Sequence, residues 1–91
     1  MKLSQKQIAE HMKRLEGWSL VDGKLVRELE FKDFADAMKF VNKVAKLAEK
    51  EEHHPDITIY SWNRVRLMLY THDIGGLSDE DFNLAGKIEQ I

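Results

Sequence analysis

From Asp33 to Pro55 the chain changes its hydrophobic period, and that change limits it to few folds. Phe34, Ala37, Met38, Val41, Val44, Ala45 and Ala48 recur at i, i+3, i+4, i+7, the spacing that lines one face of an α-helix. Asp33 is placed to cap its start. Pro55 forces its end near His53, because proline pushes the preceding residue out of the α region. On either side the period is two. Trp18 and Leu20, then Leu25, Arg27, Leu29 and Phe31, alternate with other residues, and so do Ile57, Ile59, Val65, Leu67 and Leu69. A helix set between two alternating blocks predicts strands before and after it.

Turn chemistry divides those blocks. Asp22-Gly23 is a two-residue hairpin signal, because both positions tolerate positive φ. Ser61 to Asn63 reads as a kink or tight turn in the second block. Ser4 followed by Gln7 is a capping-box pattern, so Ile8, Met12 and Leu15 predict a first helix over about Ser4 to Glu16, with Gly17 as its stop. After Gly75-Gly76, Ser78 is placed to cap a last helix with an acidic first turn, Asp79-Glu80-Asp81, as the helix dipole favours. Phe82, Ala85, Ile88 and Ile91 would be its buried stripe. The order is α-β-β-α-β-β-α, an α+β fold with one antiparallel sheet and the helices covering one face. The uncovered face would carry Trp62, Arg64, Arg66, Met68, Tyr70 and His72, and an edge strand could pair with a second copy.

Ninety-one residues predict a single domain, 1–91, and the 43% apolar content suffices for a core. Without cysteine there is no disulfide framework, zinc-thiolate site or thiol nucleophile. A net charge of −2 with no dense Lys/Arg cluster argues against nucleic acid as a partner. No apolar run is long enough for a signal peptide or membrane span, so the expectation is a soluble, cytoplasmic protein with no membrane partner. The high charge content and scarcity of Asn and Gln lean toward a heat-adapted source.

Three of the four histidines fall in two short stretches, His53-His54-Pro55 and His72. Imidazoles beside Glu49, Glu51 and Glu52 suit acid/base chemistry near neutral pH. The plainer reading of His53 and His54 is interaction with unpaired carbonyls at a helix end; the pair fixed by proline places the functional reading slightly ahead. His72, at a strand end before a glycine loop, suits a catalytic side chain or an exposed rim equally. Metal binding is the minor reading, because adjacent histidines point apart and no H-E-x-x-H or H-x-H is present. Gly75-Gly76 matches no phosphate loop and reads as a flexible turn. Trp18 could stack on a planar ligand but more often would be partial core. Arg64 and Arg66 read as a solvated strand face.

Taken together, Glu49-x-x-x-His53-His54-Pro55, Asn63-x-Val65, Thr71-His72 and Gly75-Gly76-Leu77-Ser78-x-x-Asp81 resemble the pterin-4a-carbinolamine dehydratase family. The likeness extends through Gly17-Trp18 and Phe31-Lys32-Asp33-Phe34, nearly the whole chain. It implies three helices on one side of a four-stranded antiparallel sheet, dimers that continue the sheet, and tetramers built from them. It implies a lyase that removes water from 4a-hydroxytetrahydropterin, the tetrahydrobiopterin form included, to give quinonoid dihydropterin, with no metal or organic cofactor. His53, His54 and His72 would then be the catalytic and binding set, Glu52, Tyr70 and Thr71 would line the pterin pocket, and Glu49, Trp18 and Asp81 would support it. The same resemblance leaves two rival roles: a non-catalytic dimerisation module, since animal members also act as transcriptional dimerisation cofactors, and a place in molybdenum-cofactor or other pterin metabolism.

The chain departs from the family pattern at four places. Glu80 stands where animal members carry arginine, Glu52 replaces the usual aspartate, and Tyr70 replaces a serine. The stretch from Pro55 to Trp62 is one residue longer, which predicts a bulge that could rotate the strand faces. None of these removes a histidine.

Overall fold

The computed structural model describes all residues, 1–91. The elements are α1 (Gln5–Met12), β1 (Trp18–Val21), β2 (Lys24–Glu30), α2 (Phe34–Glu51), β3 (Asp56–Tyr60), β4 (Arg64–Leu69), a single 3-10 turn (His72–Ile74) and α3 (Asp79–Ile88). The fold is α+β, in the order the alternating periods predict. The four strands form one antiparallel sheet in the order β1-β2-β4-β3, so β1 and β3 are its edges.

Both hairpins follow from their turns. Asp22 and Gly23 have φ of 52° and 77°, the left-handed pair that lets Val21 oppose Lys24 directly. The second hairpin uses no glycine. Ser61 and Trp62 adopt φ of 48° and 57°, leaving a three-residue loop between the paired residues Tyr60 and Arg64. Asn63 anchors that loop, its side-chain amide donating to the Phe31 carbonyl at 2.8 Å and its own carbonyl accepting from Phe31 N–H at 2.8 Å. The predicted bulge is absent. Asp56 to Tyr60 pair with β4 in continuous register, because the irregular backbone is confined to Ser61–Asn63.

The inner sheet face carries Leu25, Val65, Leu67 and Leu69. Against it pack Ala37 and Val44 from α2, Phe82, Leu84, Ala85 and Ile88 from α3, and Leu3 and Leu77 from the connecting segments. Three expectations change in detail. The first helix ends at Met12 rather than Glu16; Lys13 to Leu15 tighten into turns, closed by Arg14 N–H to His11 O and Leu15 N–H to Met12 O, before Gly17 reverses the chain at φ 85°. The buried face of α2 is centred on Ala37, Val44 and Ala48 with Phe40, Val41 and Leu47 on its flank. Phe34 and Ala45 lie beyond the opposite flank and are exposed. Ile91 is also exposed, because α3 stops at Ile88.

The outer face is solvated and charged. Glu28 and Arg66 are cross-strand partners, paired at 2.6 Å, and the Tyr60 hydroxyl donates to the same carboxylate at 2.7 Å. Arg64 reaches Glu30 at 3.7 Å. The two arginines are therefore members of ion pairs. Tyr60 first, then Arg66, holds the Glu28 carboxyl below the usual carboxylate range, and Glu28 in turn raises Arg66.

Candidate active site

Three chain segments meet at one end of the sheet. The first is the exit of α2. Its last hydrogen bonds are closed by Glu52, which adopts a left-handed conformation at φ 54°, ψ 38°. That conformation normally favours glycine. It turns the chain so that His53 enters the protein while Pro55 leads into β3. The second segment follows β4: Thr71 bridges to Gly76 through N–H to O at 3.0 Å, closing a small loop that holds the 3-10 turn. The third is the first turn of α3.

His53 joins these segments. Its side chain is only 12% exposed, and its Nε2 lies 2.6 Å from Asp81 Oδ1. Asp81 has no exposure at all. Its other oxygen accepts from the Thr71 hydroxyl at 2.8 Å and from the Ser78 backbone N–H at 3.0 Å. The Ser78 hydroxyl is shared with Thr71 at 2.8 Å, so Ser78 starts α3 as its N-cap while its hydroxyl serves this network. A buried carboxylate with three donors is the arrangement that makes such a charge tolerable. Since a carboxylate only accepts, Nε2 carries a hydrogen and Nδ1 is the ring atom left for chemistry.

The other predicted residues are distributed around this centre. His54 is exposed and its Nε2 contacts Glu49 Oε2 at 2.5 Å. Glu52 is exposed, with its backbone committed to the helix end. His72 lies in the 3-10 turn beyond β4, so it is not a member of the outer strand face. It is exposed, and its ring meets Tyr70 edge-on at 5.1 Å. Lys24 Nζ sits 5.1 Å from the Tyr70 ring centre. The Thr71 hydroxyl is taken by Asp81 and Ser78. Trp18 is buried in the core, and its indole N–H donates to Glu89 Oε2 at 2.9 Å, beside Arg27; no polar contact joins it to the histidines.

Sequence reasoning did not find the Thr71–Ser78–Asp81 network or the approach of Glu80, whose Oε2 lies 3.4 Å from His53 Nδ1. The available signal was Asp81 three residues after Ser78, a spacing that returns a side chain to the helix start. No group of three or more His, Asp or Glu side chains has the geometry to hold a metal ion. No helix is long and apolar enough to cross a membrane.

Fold and sequence agree with known proteins. The family model for pterin 4 alpha carbinolamine dehydratase matches residues 1–91. A protein of Acidobacterium capsulatum with the provisional name pterin-4-alpha-carbinolamine dehydratase is 52% identical over 89 residues, 98% of this chain and 96% of that one. A Sulfolobus acidocaldarius protein with the same provisional name is 42% identical over 91 residues, 100% of this chain and 99% of that one. A crystal structure of a transcriptional coactivator/pterin dehydratase from Brucella melitensis superposes with a TM-score of 0.92 at 34% identity, over 99% of this chain and 97% of that one. A pterin dehydratase-like RuBisCO assembly factor of the alpha-carboxysome shares the fold, with a TM-score of 0.63 at 19% identity, over 80% of this chain and 83% of that one. The chain belongs to the pterin-4a-carbinolamine dehydratase family, a family of dehydratases.

Proposed function

We propose that this chain dehydrates 4a-hydroxytetrahydropterins, 4a-hydroxytetrahydrobiopterin among them, to quinonoid dihydropterin by histidine acid/base catalysis. A proton passes to the 4a hydroxyl, the C4a–O bond breaks and water leaves. A second group takes the proton from ring nitrogen N5 as the new C4a–N5 double bond forms. The reaction moves two protons and no electrons to an acceptor, so positioned imidazoles suffice. His53 and His72 are the exchanging pair, and His54, oriented by Glu49, positions the pterin. Glu52, Tyr70 and Thr71 line the site, Thr71 through its backbone and methyl because its hydroxyl is committed.

The observation that carries this reading is the buried Asp81 fixing His53 through Nε2. A histidine with a purely structural role at a helix end needs no fully buried carboxylate behind it. Asp81 commits Nε2 and holds the ring in one direction, which leaves Nδ1 as the atom that gives or takes a proton.

The protein works as a homo-oligomer, a dimer or tetramer, in this reading. Both sheet edges are unpaired, and edge strand β1 exposes Leu20 and Val21 at 44% and 46%. The accessible surface of 6084 Å² also exceeds the roughly 5,500 Å² typical of a monomer of this mass. The test is the rate of water loss from a freshly generated 4a-hydroxytetrahydropterin, with and without protein. Acceleration supports the dehydratase. Its absence, with a stable oligomer present, assigns the chain to the non-catalytic module.

A further inference from the structure

His53 stands between two carboxylates of α3 that differ in kind. Asp81 is fully buried and bound to Thr71, Ser78 and His53 Nε2. It is a fixed acceptor. Glu80 is 69% exposed, and its Oε2 lies 3.4 Å from His53 Nδ1. It is free to approach or retreat. With Nε2 committed, the chemical state of the site depends on whether Nδ1 carries a lone pair or a hydrogen. A carboxylate facing a lone pair is repelled, whereas one facing N–H is held.

Two effects oppose a proton on Nδ1. The ring is largely buried, and it sits at the N-terminal end of α3, where the helix dipole is positive. One fixed charge favours it: Asp81, 2.6 Å from Nε2, stabilises the charged ring whichever nitrogen it touches. From the end of α2, Glu49 is engaged with His54, and Asp79 on α3 is turned to His11 at 3.3 Å. Asp81 acts on the opposite nitrogen. Glu51, also at the end of α2, is paired with Lys87 at 2.6 Å, which leaves Glu80 as the carboxylate within 4 Å of Nδ1.

We infer that Glu80 is a positioning residue for His53 that holds a second proton on Nδ1, so that the ring waits as an imidazolium acid. The catalytic consequence rests on the dehydratase reading. His53 then gives its Nδ1 proton to the leaving 4a hydroxyl. His72, exposed and without a carboxylate partner, takes the N5 proton. The pair ends with its protons exchanged and resets through solvent, which reaches both His72 and Glu80.

The test uses E80Q, E80R and E80D, all at an exposed position, in the full-length protein. The first measurement is the side-chain ¹⁵N spectrum of His53 near neutral pH with no pterin present. Nδ1 should move toward the unprotonated shift in the order wild type, E80Q, E80R, with E80D close to wild type and Nε2 protonated throughout. A wild-type Nδ1 already unprotonated, or shifts identical in all four proteins, overturns the inference. The second measurement is kinetic. E80R should lower kcat about two- to fivefold with little change in KM, the scale of one solvent-exposed charge pair, and E80D should recover most of the loss. An active wild type with unchanged kcat in E80R overturns the catalytic assignment. A wild type without dehydration sinks the dehydratase reading instead, and the spectrum still decides whether Glu80 controls the His53 proton.

Discussion

At the scale of single residues, the centre of this molecule is Asp81. Its three hydrogen bonds tie the end of α2, the loop after β4 and the start of α3 together. Replacing it with alanine removes all three and orphans the donors. Asp81→Ala should therefore cost about 3 kcal/mol, read as a fall in the urea midpoint. A loss under about 0.5 kcal/mol would show that the network is incidental. The same logic complicates His53. His53→Ala leaves Asp81 Oδ1 unpaired in the interior, so any activity loss has to be compared with the stability of the variant. His72→Ala carries no such penalty, because its ring is exposed. The histidines and their flanking carboxylates were visible in the sequence, since spacing and residue type are local. Asp81 entered only as a supporting residue implied by the family resemblance; its bond to His53 was not legible, because it lies 28 residues away and contacts between elements depend on directions that spacing does not encode.

At the scale of elements, the helix-to-strand exit at Glu52 stores strain. A left-handed residue with a side chain costs about 1 kcal/mol relative to glycine. Glu52→Gly should thus raise stability by up to about 1 kcal/mol while lowering activity, if the Glu52 side chain lines the pocket. Unchanged kinetics in a stabilised variant would remove Glu52 from the site. On the outer sheet face, Glu28 supplies a second test. Its carboxyl is held below the usual range by Tyr60 and Arg66, so its contribution is present above the ordinary glutamate pKa of about 4.3 and is lost as pH falls through the lowered value. Glu28→Gln should be less stable than wild type near neutrality, and the gap should close in strong acid. An equal gap at both pH values would contradict this. Asp22-Gly23 was legible because glycine declares its conformation. Ser61-Trp62 was legible only as a turn of unspecified kind, because neither residue advertises positive φ. The exact buried face of α2 was blurred because apolar residues wrap past it, and the sheet selects Ala37, Val44 and Ala48 by fit.

At the scale of the whole molecule, a 91-residue chain with two open sheet edges and exposed Leu20, Val21 and Trp62 has surface to cover. Light scattering after size exclusion should give a mass two or four times that of the chain. A monomer at micromolar concentration would contradict the oligomer reading. The order of elements was legible because the hydrophobic period changes at Asp33 and again after Pro55, and those changes require no knowledge of tertiary contacts. The position of His72 was not, because the strand ends at Leu69 and the chain folds into a 3-10 turn. Proton exchange between these histidines and a pterin is tested by kcat/KM for dehydration of a 4a-hydroxytetrahydropterin by wild type and by His72→Ala. His72→Ala should lose about a hundredfold or more at unchanged thermal stability. Wild-type kcat/KM in His72→Ala would contradict it.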